Sequence, residues 1–168
     1  MIEVELTRSQ YQMAVNYACS IDGRYDGKRD RTDPGRTRSR GYSQRIESTA
    51  AEFALAKYLE LPIEIRFVSG KGDVGDYEVR WTPEHGYRLI VRPDDPPDLR
   101  YVLITGTHGC YRLRGWLYGY EAQHEQEWLE GHNGRPPAYF APQSALHPIE
   151  TLVSSADAHE PEERLFSS

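Results

Sequence analysis

Apolar and polar residues follow a helical period in two long segments of the chain and a strand period in several short ones. Helical spacing covers residues 8–20 and 43–60. Alternating or short apolar runs predict strands at residues 2–6, 63–68, 77–82, 87–92, 101–105 and 111–118. This order predicts an α+β fold with a mixed, mainly antiparallel sheet flanked by helices.

Residues that start and stop helices set the expected boundaries. Ser43 is the expected N-cap of the second long helix, and Pro62 is expected to end it. Residues 120–130 are rich in Glu and Gln and predict a short polar helix. Residues 139–152 carry apolar side chains without a clear period, so we expect them to pack irregularly across the sheet.

Composition narrows the class of protein. The chain has 168 residues, a net charge of −6 and a mean hydropathy of −0.72. We expect one domain, residues 1–153, and a disordered tail, residues 154–168. No apolar run approaches the ~20 residues that span a bilayer, and the N-terminus lacks a signal-peptide core, so we expect no membrane partner and a cytoplasmic location. Cys19 and Cys110 lie outside any metal-binding spacing and are expected to be buried free thiols.

A basic segment stands out in this acidic chain. Residues 21–41 mix glycine and proline with many charges, which predicts a long loop. From Arg24 to Arg45 there are eight Lys and Arg residues against three Asp residues. A local basic patch can follow a phosphate backbone even on an acidic protein, whereas the alternative is a solvated loop. The expected nucleic-acid contacts are Arg36, Arg38, Arg40 and Arg45.

The segment Asp73–Thr82 carries the candidate chemistry. Side chains alternate along a strand, so Glu78 and Arg80 share one face and the apolar residues between them share the other. Asp73 is an odd number of residues from Glu78, but the turn signal Gly75-Asp76 can break the register and bring the two carboxylates together. Two converging carboxylates beside a cation suit a divalent metal and a phosphate group.

This arrangement resembles the PD-(D/E)XK nuclease superfamily, which has the restriction-endonuclease-like fold. The resemblance implies that Asp73 and Glu78 bind Mg²⁺ or Mn²⁺ with the Val79 carbonyl, and that Arg80 takes the position of the family's lysine. Two departures are evident. Arg80 stays protonated and cannot act as a base, and Gly72 precedes Asp73 where the family has proline.

Members of that superfamily often place a further acid on a helix near the metal. The helix at 43–60 offers two candidates. Glu52 lies near Leu55, Ala56 and Leu59 on a helical wheel and is the preferred residue, whereas Glu47 falls beside Tyr58 and is the alternate. By the resemblance, Glu52 completes the metal shell or accepts a proton.

Residues 50–152 also resemble a group of small proteins encoded by tailed phages. The likeness extends over more than half of the chain and supports the fold more than an activity. The shared segments are Ala51-Glu52, Gly72-Asp73, Glu78-Val79-Arg80, the turn at 94–98, Tyr101-Val102-Leu103, Gly115-Trp116 and the run 137–142. A phage protein of this kind would act in the host cytoplasm.

The sequence therefore predicts a metal-dependent DNA nuclease with catalytic residues Glu52, Asp73, Glu78 and Arg80. One alternative is a catalytically inactive module of the same fold that binds nucleic acid or protein. Another is a phage or accessory structural protein, or an inhibitor that uses its acidic surface. The oligomeric state is left open, with a dimer as one option.

Overall fold

The computed structural model of the chain describes residues 1–25, 38–63, 73–131 and 133–152. Within these ranges the helices are α1 (Arg8–Tyr25), α2 (Arg38–Tyr58) and α3 (Gly119–His124). The strands are β1 (Ile2–Glu5), β2 (Tyr77–Thr82), β3 (Leu89–Val91), β4 (Arg100–Thr107), β5 (Cys110–Tyr118), β6 (Leu129–Glu130) and β7 (Ala138–Ala141). Short 3₁₀ helices occupy Gln126–Trp128 and Gln143–Ala145.

Both long helices extend further than the sequence pattern predicts. The loop predicted at residues 21–41 is wrong at both ends, because residues 21–25 belong to α1 and residues 38–41 to α2. Ser43 lies inside α2 and is not its N-cap. The physical reason is packing between α1 and α2, which outweighs the ~1 kcal/mol that a glycine such as Gly41 costs in a helix.

Three predicted features fall outside the described residues. They are the centre of the basic loop, which includes Arg36, most of the strand expected at 63–68, and the tail at 154–168. The side chains of Arg38 and Arg40 are likewise not described, although both residues lie in α2.

The end of α2 is fixed by a two-bond C-terminal motif. The Leu61 N–H donates to the Ala56 carbonyl at 2.9 Å, and the Glu60 N–H donates to the Lys57 carbonyl at 3.3 Å. Glu60 adopts a left-handed conformation with φ +55°. This is the Schellman pattern, which satisfies carbonyls that would otherwise be orphaned at the helix end. Pro62 follows at once, as the sequence predicts.

The larger sheet has four described strands in the order β1-β5-β4-β2. β1 and β4 are each antiparallel to β5, whereas β2 runs parallel to β4. The β4–β5 hairpin closes through His108 and Gly109, which both have positive φ as a two-residue turn requires. The predicted mixed, mainly antiparallel α+β class is confirmed, with β2 as the outermost described strand beside β4.

A second sheet, with the order β3-β7-β6, was not predicted. Its central strand β7 lies in the segment expected to pack irregularly. β3 pairs with β7 over the register Leu89↔Ala141 to Val91↔Tyr139, so the pairing joins segments about fifty residues apart. Such long-range partners leave no trace in local periodicity.

The two faces of the larger sheet bury different apolar clusters. On one face Val102, Ile104 and Leu113 pack with α1 and α2 in the main core. On the other face Tyr101 and Leu103 pack with residues of the second sheet and α3. The domain therefore has three layers, and β4 contributes alternate side chains to both cores.

Both cysteines differ from the prediction. Cys19 and Cys110 were expected to be buried, but both are exposed: Cys110 directly follows the β4–β5 turn, and Cys19 lies near the end of α1.

No helix in the described part of the chain combines the length and hydropathy needed to cross a bilayer.

Glu47 joins three parts of the fold. Its carboxylate, 8% exposed, accepts hydrogen bonds from the Tyr11 hydroxyl at 2.7 Å and the Tyr111 hydroxyl at 2.6 Å. The His108 N–H donates to both of its oxygens at 3.2 and 3.1 Å. Burial, followed by this hydrogen bond to Glu47, raises the pKa of Tyr11 to about 12, and the same causes raise the pKa of Tyr111.

Replacement of Glu47 should therefore destabilise the fold. We expect Glu47→Ala to lower the free energy of unfolding by about 3 kcal/mol or more, since each buried donor left without an acceptor costs ~1–3 kcal/mol. Urea unfolding at pH 8 in the presence of a chelator measures this change. The matched control is Glu52→Ala on the same helix, which removes a destabilised carboxylate and should cost far less. Equal losses for the two variants would contradict the prediction.

Candidate functional site

The turn before β2 forms as the sequence predicts. Val74 and Tyr77 exchange backbone hydrogen bonds of 3.0 and 2.9 Å around the central residues Gly75 and Asp76. Gly75 has φ +58°, a conformation that side-chain-bearing residues rarely adopt. This tight hairpin reverses the chain directly in front of β2 and breaks the strand register between Asp73 and Glu78.

Asp73 is tied back onto β2 by its side chain. Its Oδ2 accepts a hydrogen bond from the Val79 N–H at 2.9 Å. Burial raises the pKa of Asp73, while the Val79 N–H and the Arg80 guanidinium oppose that shift. This hydrogen bond involves Oδ2 of the carboxylate and does not involve Oδ1.

Glu78 and Arg80 share one face of β2, as predicted from alternation. Arg80 Nη1 lies 3.7 Å from Glu78 Oε1, while the core-facing residues Tyr77, Val79 and Trp81 contact the main cluster. The guanidinium carbon lies 5.1 Å from the centroid of the Tyr101 ring. Arg80 thus lies between the Glu78 carboxylate, with which it pairs, and the Tyr101 ring.

Asp95 also holds Arg80, and the sequence pattern did not reveal that role. Arg80 Nη2 donates to Asp95 Oδ2 at 2.7 Å, and the same oxygen accepts the Arg92 N–H at 2.7 Å. Within the turn at 94–98, Asp95 therefore both shapes the turn and holds Arg80. Its second contact depends on β2 lying beside the turn, for which there is no local signal.

The three acids predicted from sequence influence one another electrostatically. Burial raises the pKa of Glu52 well above its usual value, and the charges of Asp73 and then Glu78 add to the shift. Burial also raises the pKa of Glu78 to about 7, with Asp73 and Asp95 adding and Arg80 opposing. The structure thus brings Glu52 into range of both acids, whereas Glu47 is occupied by the two tyrosines and the His108 N–H.

The donor set can be compared with what a divalent cation needs. Glu52, Asp73, Glu78 and the Val79 carbonyl offer only oxygen, which is the ligand that Mg²⁺ and Mn²⁺ prefer. Among the described residues, however, no group of three or more His, Cys, Asp or Glu side chains is already arranged around one cation position. The chemistry of the residues fits such an ion, and binding would require side-chain movement.

A cleft of about 620 Å³ lies beside Arg80. Its walls are α2, β2 and the turn that follows β2. Lining residues include Arg45, Ser48, Arg80, Trp81, Tyr87 and Arg88. Glu52 lies one helical turn beyond Ser48 on α2, and Glu78 directly precedes Val79 on β2, so both acids neighbour residues that line the cleft.

Only one of the expected nucleic-acid contacts is described at this site. Arg45 lines the cleft, while Arg36 and the side chains of Arg38 and Arg40 lie outside the described part of the chain. Tyr87 and Arg88 were not singled out from the sequence. Each is placed here by the connection from β2 to β3, which enters the second sheet.

Comparison with known proteins assigns the chain to no family: no protein-family model, no curated protein and no solved structure matches it. The resemblance to the PD-(D/E)XK superfamily therefore stays a prediction, and the case for a function depends on the geometry and electrostatics of this chain.

The raised carboxyl pKa values predict a pH-dependent stability. Without divalent cations, the free energy of unfolding should fall as the pH rises from the ordinary glutamate value of 4.5 through about 7, because the folded protein keeps a proton on Glu78 that the unfolded chain has lost. Glu78→Gln should reduce this fall by on the order of 2–3 kcal/mol.

Urea unfolding at several pH values across this window measures the effect, and the difference between wild type and variant gives the contribution of Glu78 together with its coupling to Glu52. Glu127→Gln is the matched control, because Glu127 is an exposed acid in the 3₁₀ helix at Gln126–Trp128. Superimposable pH profiles for wild type and Glu78→Gln would show that the Glu78 pKa is not raised.

Proposed function

We propose that the chain is a metal-dependent deoxyribonuclease of the PD-(D/E)XK type. The observation that carries the proposal is the mutual electrostatic strain of Glu52, Asp73 and Glu78 beside the Arg80 guanidinium. Desolvated carboxylates that repel one another reduce stability, and binding of a divalent cation relieves that repulsion. Perturbed carboxyl groups next to a cleft are typical of functional sites.

Each residue has a role in the proposed reaction. Asp73, Glu78 and the Val79 carbonyl would hold Mg²⁺ or Mn²⁺, and the ion would supply activation of water and stabilisation of negative charge on phosphorus oxygens. Arg80 binds the scissile phosphate and the charge that develops on it. Glu52, whose pKa is raised by burial and by its acidic neighbours, would take up the proton released by water when it is in its ionised form.

A second candidate function is a nucleic-acid-binding module that has lost catalysis. The observation that favours it is the occupation of Arg80 by Asp95 and Glu78, together with the inability of arginine to replace a catalytic lysine as a base. DNA affinity without any affinity for Mg²⁺ or Mn²⁺ would select this candidate over the nuclease.

Metal binding is the first test of the nuclease proposal. Isothermal calorimetry should detect Mg²⁺ or Mn²⁺ binding to the wild type, with affinity that rises from pH 6 to pH 8 as expected if the ion displaces protons from Glu78 and Glu52. Titration in two buffers of different ionisation enthalpy should reveal the released protons. Glu78→Gln should weaken binding at least ~10-fold, since it removes a charged ligand. Affinity equal in wild type and Glu78→Gln would contradict the assignment of this ligand.

Cleavage is the second test. With Mg²⁺ or Mn²⁺ the wild type should cleave DNA in at least one of four forms, namely linear duplex, nicked, branched or single-stranded. Asp73→Ala and Glu78→Ala should each lower the rate by ~100-fold or more, because each removes a ligand or its charge. Glu127→Gln should leave the rate unchanged. A pure preparation that cleaves none of the four forms would contradict the enzyme proposal.

A further inference from the structure

The cleft beside the acids carries an inference about the form of the substrate. It lies between α2 and β2, has a volume of about 620 Å³, and is lined by Val79 and Arg80, which follow Glu78 on β2. We infer that this cleft binds a single-stranded segment of DNA, one or two nucleotides long, next to the position of chemistry. The inference rests on the proposed function for the identity of the polymer.

Two aromatic side chains line the cleft. Tyr87 is 37% exposed, which is high for a tyrosine in a cavity wall. Trp81 is partly buried and is fixed by a hydrogen bond of 2.8 Å from its Nε1 to the Gly106 carbonyl. Exposed aromatic rings bind unpaired bases by stacking, and the contact is available only when the base has left its duplex.

Three guanidinium groups line the cleft, and two of them already pair with acids. Arg45, Arg80 and Arg88 line the cleft, against Glu84 as the one acid among its described lining residues. Arg88 is held by a two-bond pair with Glu130, at 2.5 and 2.9 Å, and its guanidinium carbon lies 4.7 Å from the Phe140 ring centroid. Guanidinium groups that are already fixed lose little conformational entropy when a phosphate binds.

Size separates a single strand from a duplex. A volume of about 620 Å³ falls within the ~300–1,000 Å³ of pockets that enclose small ligands, so it suits one or two nucleotides. The major groove of B-form DNA alone is ~12 Å wide, and the whole double helix is wider still. An intact duplex can therefore touch only the rim of the cleft, whereas a frayed end or a flap can enter it.

The test uses binding without divalent cations, so that it does not depend on cleavage. Fluorescence anisotropy in a chelator should give tighter binding of a labelled single strand than of a blunt two-stranded duplex. Tyr87→Ala should weaken single-strand binding about 10-fold, and Tyr87→Phe should restore it, because stacking needs the ring and not the hydroxyl. The matched control is Tyr120→Ala, which removes an equally exposed tyrosine from α3, outside the cleft lining.

A second measurement needs no variant. A single strand that contains 5-bromouracil is cross-linked to the wild type by light, and the adduct is mapped after trypsin digestion. Cleavage after Arg80 and Arg88 releases the peptide Trp81–Arg88, which contains both aromatic residues. We expect the adduct in this peptide, and an adduct confined to other peptides would overturn the inference.

The outcomes distinguish this inference from the proposed function. Binding that is equal for duplex and single strand, or unaffected by Tyr87→Ala in a folded variant, overturns the cleft assignment even if DNA is cleaved. Tyr87-dependent single-strand binding without cleavage in Mg²⁺ or Mn²⁺ supports the cleft assignment and contradicts the nuclease proposal.

Discussion

The parallel pairing of β2 with β4 is the constraint on which the candidate site depends. β4 is buried on both faces and fixes the register of β2 from Tyr77↔Arg100 to Thr82↔Thr105. Because side chains alternate, once Tyr77, Val79 and Trp81 contact the main core, Glu78 and Arg80 must project from the other face. A slip of one residue would bury both charges, which is strongly unfavourable, so the core itself determines where the charged pair lies.

Two glutamates on α2 illustrate how position decides the role of a carboxylate. Glu47 and Glu52 are five residues apart, which places them ~140° apart around the helix axis. Glu47 lies in the core, where two tyrosine hydroxyls and a backbone N–H donate hydrogen bonds to its carboxylate. These hydrogen bonds compensate for its burial. Glu52 faces other acids instead, and its neighbours raise its pKa. Glu47 therefore stabilises the fold, whereas Glu52 is a source of electrostatic strain.

Local signals predicted the local parts of the structure. The Gly75-Asp76 turn, the two faces of β2 and the β4–β5 hairpin follow from residue types and spacing within ten or so positions. The predicted start of α2 was wrong because packing against α1 extends the helix through Gly41. The second sheet and the bond from Asp95 to Arg80 depend on contacts between distant segments. Neither leaves a periodic signal in the sequence.

The surroundings of Arg80 bear on which residues would bind the phosphate and which would accept the proton in the proposed reaction. Arg80 lies between Asp95 and Glu78 and next to the Tyr101 ring, and its Nε is buried without a hydrogen-bond partner among the described residues. A planar guanidinium can bind two acceptors at once and still face a phosphate, whereas a lysine presents a single charge. Arginine keeps its proton, however, so it cannot activate water. In the proposed reaction the proton would then pass to a carboxylate, and Glu52 is the candidate on α2, where burial and the charges of Asp73 and Glu78 raise its pKa. In the proposed reaction, phosphate binding would thus lie with Arg80 on β2 and proton uptake with Glu52 on α2.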